Sequence, residues 1–401
     1  MSQTADSVSR AYLRLAFHIE RFVPGFIDAY FGLPEWKAEA GAEVKVEPGD
    51  LRRDAEVLLD DIATLSDDLR REWLTRQVTA MHATLRRVQG EVISFDDELR
   101  LLYDIQPQWT DEREFDEALR VVGDVLPGPA GEPLADRLDA WDNQFNVPTE
   151  NLVPLFTVAR DQAQKLARRL FALPEGEEIV LQIVANQPWS AYNWYLGNYR
   201  SRVDLNTDLP VRANSMVGLM THEGYPGHHT EHALKEKLLY RAQGHAEACV
   251  QLINAPECVI SEGIADSARE MILTDEELDD WLRDVFYPLA GLQVALRVAR
   301  DRVLAQARRK LRALSGNAAF LLHREGADPE TVVKYIQRFG ARTDKQARQS
   351  YRFISNPLFR SYIFTYHYGR DLLARYMARG DRLARFKTCL EQPLTPSFLE
   401  R

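Results

Sequence analysis

Residues 221 to 232 read Thr-His-Glu-Gly-Tyr-Pro-Gly-His-His-Thr-Glu-His, so four of the chain's nine histidines and two glutamates fall in one short stretch. A His-Glu pair on a helix, followed by another His a turn or two on, is how zinc hydrolases present two imidazoles to a metal and a carboxylate to its water. His222 and Glu223 form such a pair. In a regular helix the second imidazole stands four residues after the first, because 3.6 residues per turn stack the two on one face. Here position 226 is Pro, and the next histidines, His228 and His229, follow His222 by six and seven residues. Neither meets the first ring in a straight helix. Pro226 removes a helical hydrogen bond and Gly227 tolerates unusual backbone. A distortion there is expected to bring His228 to the place of the second ligand, with His229 as its rival.

The inverted order His-x-x-Glu-His offers a second parse, met by His228, Glu231 and His232. It leaves His222 and Glu223 without a role. Further along, Val259-Ile-Ser-Glu-Gly-Ile-Ala-Asp-Ser-Ala-Arg-Glu270 sets Glu262 and Asp266 four apart on an otherwise small and apolar helix. A carboxylate buried on such a face needs a partner. Glu262 is the expected third metal ligand, and Asp266 the acceptor behind a ligand His. Cys249, Cys258 and Cys389 lack paired metal spacing and read as buried thiols.

These groups have to be held by a mainly helical chain of 401 residues. Apolar residues recur at three and four from about Ser7 toward Tyr30, with a break near Pro24-Gly25. Further helices are expected over 48–88 (recapped near Ser66-Asp67-Asp68), from Ser94, and around 111–125, 132–142 and 150–173. The pattern then changes. The stretches 178–184, 190–196 and 202–207 carry strand residues, with a turn at Gly197-Asn198. They predict a small antiparallel sheet beside the His222 helix, with Arg202 to Thr207 as the edge able to receive an extended substrate. Helix signals resume at Val211 and return at Thr274, at Asp328-Pro329 through Gly340, and from Phe359 to Met377. The organisation expected is an N-terminal helical region, 1–174, and a catalytic region, 175–401.

Charge and composition narrow the function classes. The net charge is −10 without a Lys/Arg block, which argues against a nucleic-acid partner. No run approaches the apolar length of a membrane helix. Met1-Ser-Gln-Thr-Ala-Asp has neither a basic start nor an apolar core, and three cysteines fit a reducing compartment, so the expectation is cytoplasmic.

His222-Glu-Gly-Tyr-Pro-Gly-His-His229, Glu262-Gly-Ile-Ala-Asp266 and Tyr366-His-Tyr-Gly369, in that order, resemble the bacterial domain-of-unknown-function family numbered 885. That family is placed among the zincin-like metallopeptidases and is distantly similar to the thermostable (Taq-type) carboxypeptidases. The resemblance covers roughly 175–380. Asp266 stands where the second motif is expected to carry an aromatic or aliphatic residue. What it implies is a Zn²⁺ site of His222, His228 and Glu262 in a large zincin-like helical fold. Glu223 would serve as general base and Tyr366, aided by His367 or Tyr368, as donor to the oxyanion. The substrate implied is a peptide, cleaved carboxypeptidase-like, with a non-peptide amide or ester, or peptide binding without cleavage, as alternatives. Arg352, Arg360 and Arg370 are available to a substrate carboxylate but are not counted among the site residues.

Overall fold

Many helices begin where a short polar side chain takes up a free amide of the first turn, as Asp6 does for Ser9, Asp67 for Arg70 and Ser94 for Asp97. The computed structural model describes residues 5–129, 131–187, 189–208, 210–294 and 297–401. The first four residues of the N-terminal stretch read above lie outside them. The chain runs α1 (Ser7–Glu20), β1 (Ile27–Tyr30), α2 (Pro34–Ala42), α3 (Pro48–Ala63), α4 (Asp68–Val88) and α5 (Phe95–Tyr103). It continues through α6 (Glu112–Val125), α7 (Leu134–Asp142) and α8 (Thr149–Leu170) to β2 (Glu178–Val184), β3 (Ala191–Gly197) and β4 (Arg200–Asn206). Then come α9 (Ala213–Glu223), α10 (His228–Lys235) with a π-helical extension over Glu236–Ala242, β5 (Val250–Leu252) and α11 (Pro256–Ile272). The rest is α12 (Asp275–Trp281), the single turn α13 (Tyr287–Leu289), α14 (Val298–Lys310), α15 (Leu314–His323), α16 (Pro329–Gly340) and α17 (Asp344–Ser355). The chain closes with α18 (Ile363–Ala378), α19 (Arg382–Glu391) and α20 (Pro396–Glu400). The class is mainly α, and no helix among the described residues is long and apolar enough to cross a membrane.

The sheet departs from expectation in one respect. β3 and β4 form the expected antiparallel hairpin, turning through Asn198 and Tyr199, both at positive φ. β2, however, lies parallel to β4, giving the order β2-β4-β3. The strand expected at the edge, 202–207, is therefore the central one, and β3 is an edge. β4 carries the burial to match, with Val203, Asp204, Leu205 and Asn206 all inside. A second, two-stranded sheet pairs β1 with β5. The first helix, expected to kink or end near Pro24-Gly25, ends at Glu20, and beyond the break Ile27–Tyr30 is a strand.

Two large apolar cores hold these elements. One joins α4 to α9, β2 to β4 and the C-terminal helices; the other joins α1, α3 and α4 to residues 240–255. Both draw on either side of position 174, as Ala163 with Met216, and Tyr12 with Val250, show. The two expected regions thus share their interior.

Three contacts position the site. α11 and α18 meet backbone to backbone, and a Cβ on Gly263 would lie 2.6 Å from the Gly369 carbonyl oxygen. Only glycines permit that approach. At the entrance to α18, the buried Glu98 of α5 accepts hydrogen bonds from Arg360 and from Ser361 Oγ (2.7 Å for the latter). The third is the carboxylate of Glu236, fully buried, which accepts from the Tyr195 hydroxyl (2.5 Å), the Asn198 and Tyr199 amides (3.1 Å each) and Arg241. It ties the β3–β4 turn to the end of α10.

Candidate metal centre

α9 ends at Glu223 and α10 starts at His228, so the Pro226-Gly227 distortion is a full break between two helices rather than a bulge within one. Gly227 packs directly on the carbonyl oxygens of Thr221 and His222, where a Cβ would overlap both. The close turn returns α10 alongside the end of α9. His222 and His228 end with ring centroids 4.8 Å apart.

Each ring is held from behind. His222 Nδ1 lies 3.3 Å from Asp266 Oδ1, and its Nε2 lies 3.4 Å from Glu262 Oε2. The Ser261 hydroxyl donates to Glu231 Oε2 at 2.6 Å, so the 2.9 Å contact between His228 Nδ1 and Ser261 Oγ is an N–H donated by the imidazole. That fixes the tautomer and leaves His228 Nε2 as a lone pair, 3.9 Å from Glu262 Oε2. Glu262 Oε1 accepts from the Tyr362 hydroxyl at 2.7 Å. Oε2 is buried with no hydrogen-bond partner. Donor atoms of His222, His228 and Glu262 all lie within 4.8 Å of one another, the group among the described residues with metal-ligand geometry.

The residues fit a divalent cation on two grounds. A buried carboxylate oxygen without a partner costs free energy that a cation would recover. Two imidazoles and a carboxylate with their outer atoms already bonded are a zinc donor set. The surrounding carboxylates favour positive charge here, carried by a proton on His222 or, once that proton is displaced, by a cation. Burial alone would lower the His222 pKa, but Asp266, Glu262 and Glu223 raise it well above its ordinary value. The Asp266 carboxyl, which burial would raise, is brought down to about 2 by His222 and Arg312.

His229 is not part of this group. It is fully buried, with Nδ1 2.8 Å from Ser201 Oγ and Nε2 3.0 Å from Glu177 Oε2, and so fastens α10 to β4 and to the start of β2. The inverted parse fares no better. His232 stacks on His228 at 6.0 Å, while Glu231 bonds Ser261 and Lys235 and supports His228 from behind. Cys258 donates its thiol to the Leu252 carbonyl, and all three cysteines are buried and free.

Glu223, Tyr366 and the ligand group line one cavity of about 1780 Å³. Burial, then Glu262, raises the Glu223 pKa against the pull of His222 and His228. Burial and the carboxylates of Glu262, Glu223 and Asp266 push the Tyr366 hydroxyl well above its ordinary range, so it stays a donor. Tyr368 turns away to Glu400, and His367 packs on Gly316 beside α15, so neither stands with Tyr366. Of the three arginines considered, Arg360 is bound to Glu98 and Arg370 to Glu270, while Arg352 lines the cavity.

Two site residues escaped the sequence reading. Tyr362, one turn before Tyr366, holds Glu262. Asp28 on β1 lines the cavity, accepts from the Tyr192 hydroxyl, and is raised to about 7 by burial and by Glu262 and Glu223. The aromatic spacing around 362–366 was a signal for the first. Nothing local marks the second.

The fold has a solved counterpart. The crystal structure of "the putative lipoprotein from Colwellia psychrerythraea" matches with a TM-score of 0.55 at 15% identity, over 88% of this chain. This chain spans 65% of that one. "A putative lipoprotein of unknown function from Shewanella oneidensis" matches at 0.47 and 14%, over 91% of this chain and 75% of its own. At 15% identity the likeness to the Colwellia protein is one of fold alone. No family model matches the chain, and no curated protein matches it.

Proposed function

We propose that the protein is a zinc-dependent hydrolase acting on peptide bonds. The observation that carries this is the unpartnered Glu262 Oε2, facing two imidazole Nε2 atoms whose rings are locked from behind. His222, His228 and Glu262 would hold the ion, which supplies Lewis acidity to polarise a carbonyl and make water a better nucleophile. Glu223, next to the first ligand and on the cavity wall, takes the proton of the attacking water and returns it to the leaving amine. The Tyr366 hydroxyl donates to the developing oxyanion, a contribution of roughly 2.7–4 kcal/mol for one such donor. Tyr362 and Asp266 position the ligands. The resemblance to family 885 implies the same roles for His222, His228, Glu262, Glu223 and Tyr366; Tyr362 is no part of it, and Asp266 departs from its second motif.

Peptide is the favoured substrate because the cavity runs along β3. Residues Ala191 to Trp194 line it, and β3 is a sheet edge. An extended main chain laid there finds unpaired backbone groups to bond. The decisive experiment compares two variants of the zinc-loaded protein on blocked peptides, free-carboxyl peptides and simple amides. Glu223→Gln is expected to keep about one zinc per chain and lose most hydrolysis, whereas His222→Ala loses both. Unchanged turnover in Glu223→Gln removes the mechanism.

A further inference from the structure

The arginines lining the cavity are almost all neutralised. Arg70 pairs with Glu247, Arg212 with Asp142, Arg269 with Asp275, Arg312 with Asp266, and Arg309 and Arg370 share Glu270. Arg342 and Arg352 are the departures, and Arg342 is the less exposed of the two. It sits at the corner between α16 and α17, where Ala341 takes a left-handed conformation and turns the chain. Its guanidinium lies in the cavity wall and donates to the Ser350 hydroxyl, itself bonded to the Gln346 carbonyl at 3.1 Å. Among the described residues no carboxylate lies within ion-pair distance of it. Burial, with no facing carboxylate, lowers its pKa from the ordinary guanidinium value.

A partly buried cation whose one side-chain partner is a neutral hydroxyl is expensive to keep. A guanidinium has five N–H donors in a planar fork, and Ser350 engages one side of it. The remaining donors match a carboxylate, which takes two parallel hydrogen bonds. Gln349 and Arg352 of α17 line the cavity beside it, and Arg352 is likewise unpaired. The same cavity contains Glu223 and the His222, His228 and Glu262 group. Its volume suits a short peptide between the two.

We propose that Arg342 binds the free C-terminal carboxylate of a peptide substrate, which makes the enzyme an exopeptidase working from that end. This rests on the hydrolase reading for its substrate, but the subsite can be read without turnover. The test is calorimetric binding to the zinc-loaded Glu223→Gln protein, using a blocked tripeptide with a free C-terminal carboxylate and the same tripeptide as its C-terminal amide. The acid is expected to bind roughly 10- to 100-fold more tightly, the worth of charge-assisted hydrogen bonds at a partly desolvated site. In the double variant with Arg342→Met the ratio falls to about 1, and with Arg342→Lys, which keeps the charge and loses the fork, it lies between. Equal affinity for acid and amide overturns the proposal, as does a ratio that survives Arg342→Met. So does equal binding by a tripeptide amide bearing a Glu side chain, which would place recognition on side-chain carboxylates. If the binding ratio behaves as stated while the parent protein hydrolyses nothing, the subsite stands and the hydrolase reading falls.

Discussion

Replacing Gly263 by Ala tests whether the site depends on the backbone contact between α11 and α18. The added Cβ would lie 2.6 Å from the Gly369 carbonyl oxygen and 2.7 Å from Leu373 Cδ1, where ordinary contact starts at 3.4 Å. Leu373 can turn aside, but the carbonyl belongs to a helix. α18 must therefore retreat by about 0.8 Å, the shortfall between the first and last of those distances. Tyr362 moves with it, and its 2.7 Å bond to Glu262 stretches toward the limit of a hydrogen bond. Overpacking of this kind costs about 1–3 kcal/mol, and a weakened bond to a carboxylate adds to that, while Ala returns about 1 kcal/mol of helix propensity. The net loss is roughly 2–4 kcal/mol, and for a chain of this length it lowers Tm by roughly 2–5 °C. Gly123 in α6 is the matched control, because nothing lies within 4 Å of its would-be Cβ. Gly123→Ala should stabilise by about 0.4–1 kcal/mol through the unfolded chain. Thermal scans of both variants, with a zinc titration of each, make the comparison. Gly263→Ala should also bind zinc roughly 10- to 100-fold more weakly, since Glu262 loses its outer partner. If Gly263→Ala matches the parent in Tm and zinc affinity, or if the control is destabilised equally, the helix contact does not position the site.

Two further outcomes are open to direct measurement. His228→Ala should abolish zinc binding and leave the zinc-free Tm nearly unchanged, whereas His229→Ala strips the buried Glu177 of a partner at a cost of roughly 3 kcal/mol and spares zinc binding. Calorimetry with metal analysis would refute the assignment by showing the reverse. The Glu98 carboxyl, which burial would raise, is brought below its ordinary 4.5 by Arg360, Arg87 and Ser361. A lowered folded pKa means stability that is present above 4.5 and is lost as pH falls through the folded value. The Tm gap between the parent and Glu98→Gln should accordingly be widest near neutrality and shrink below about pH 4.5. A gap independent of pH would count against the pair.

The sequence shows the residues of the candidate metal centre more readily than the architecture around them. His222, Glu223, Glu262, Asp266 and Tyr366 lie on helices, where residue type and 3.6-residue spacing carry most of the information. Capping was readable for the same reason, as the Thr274 box with Glu277 and the Asp328 cap show. The choice between His228 and His229 was not. It turns on where Glu177 and Ser201 lie, and both belong to elements distant in sequence. Asp28 sits on a four-residue strand whose partner is β5, so its approach to Glu223 has no local trace. The sheet order was hidden too, because a strand's own residues do not say which neighbour covers its second edge, and here β2 does so for β4.

The clasp around Glu236 has a mechanical consequence. Since one carboxylate grips the hairpin turn and also binds Arg241 just beyond α10, the strand edge proposed to receive a peptide and the segment carrying the candidate ligands are tied together. Any widening of the mouth to admit a bulky guest must be taken up elsewhere on its perimeter. On the proposed reading, the strand along which a substrate would lie therefore keeps its distance from the candidate metal centre.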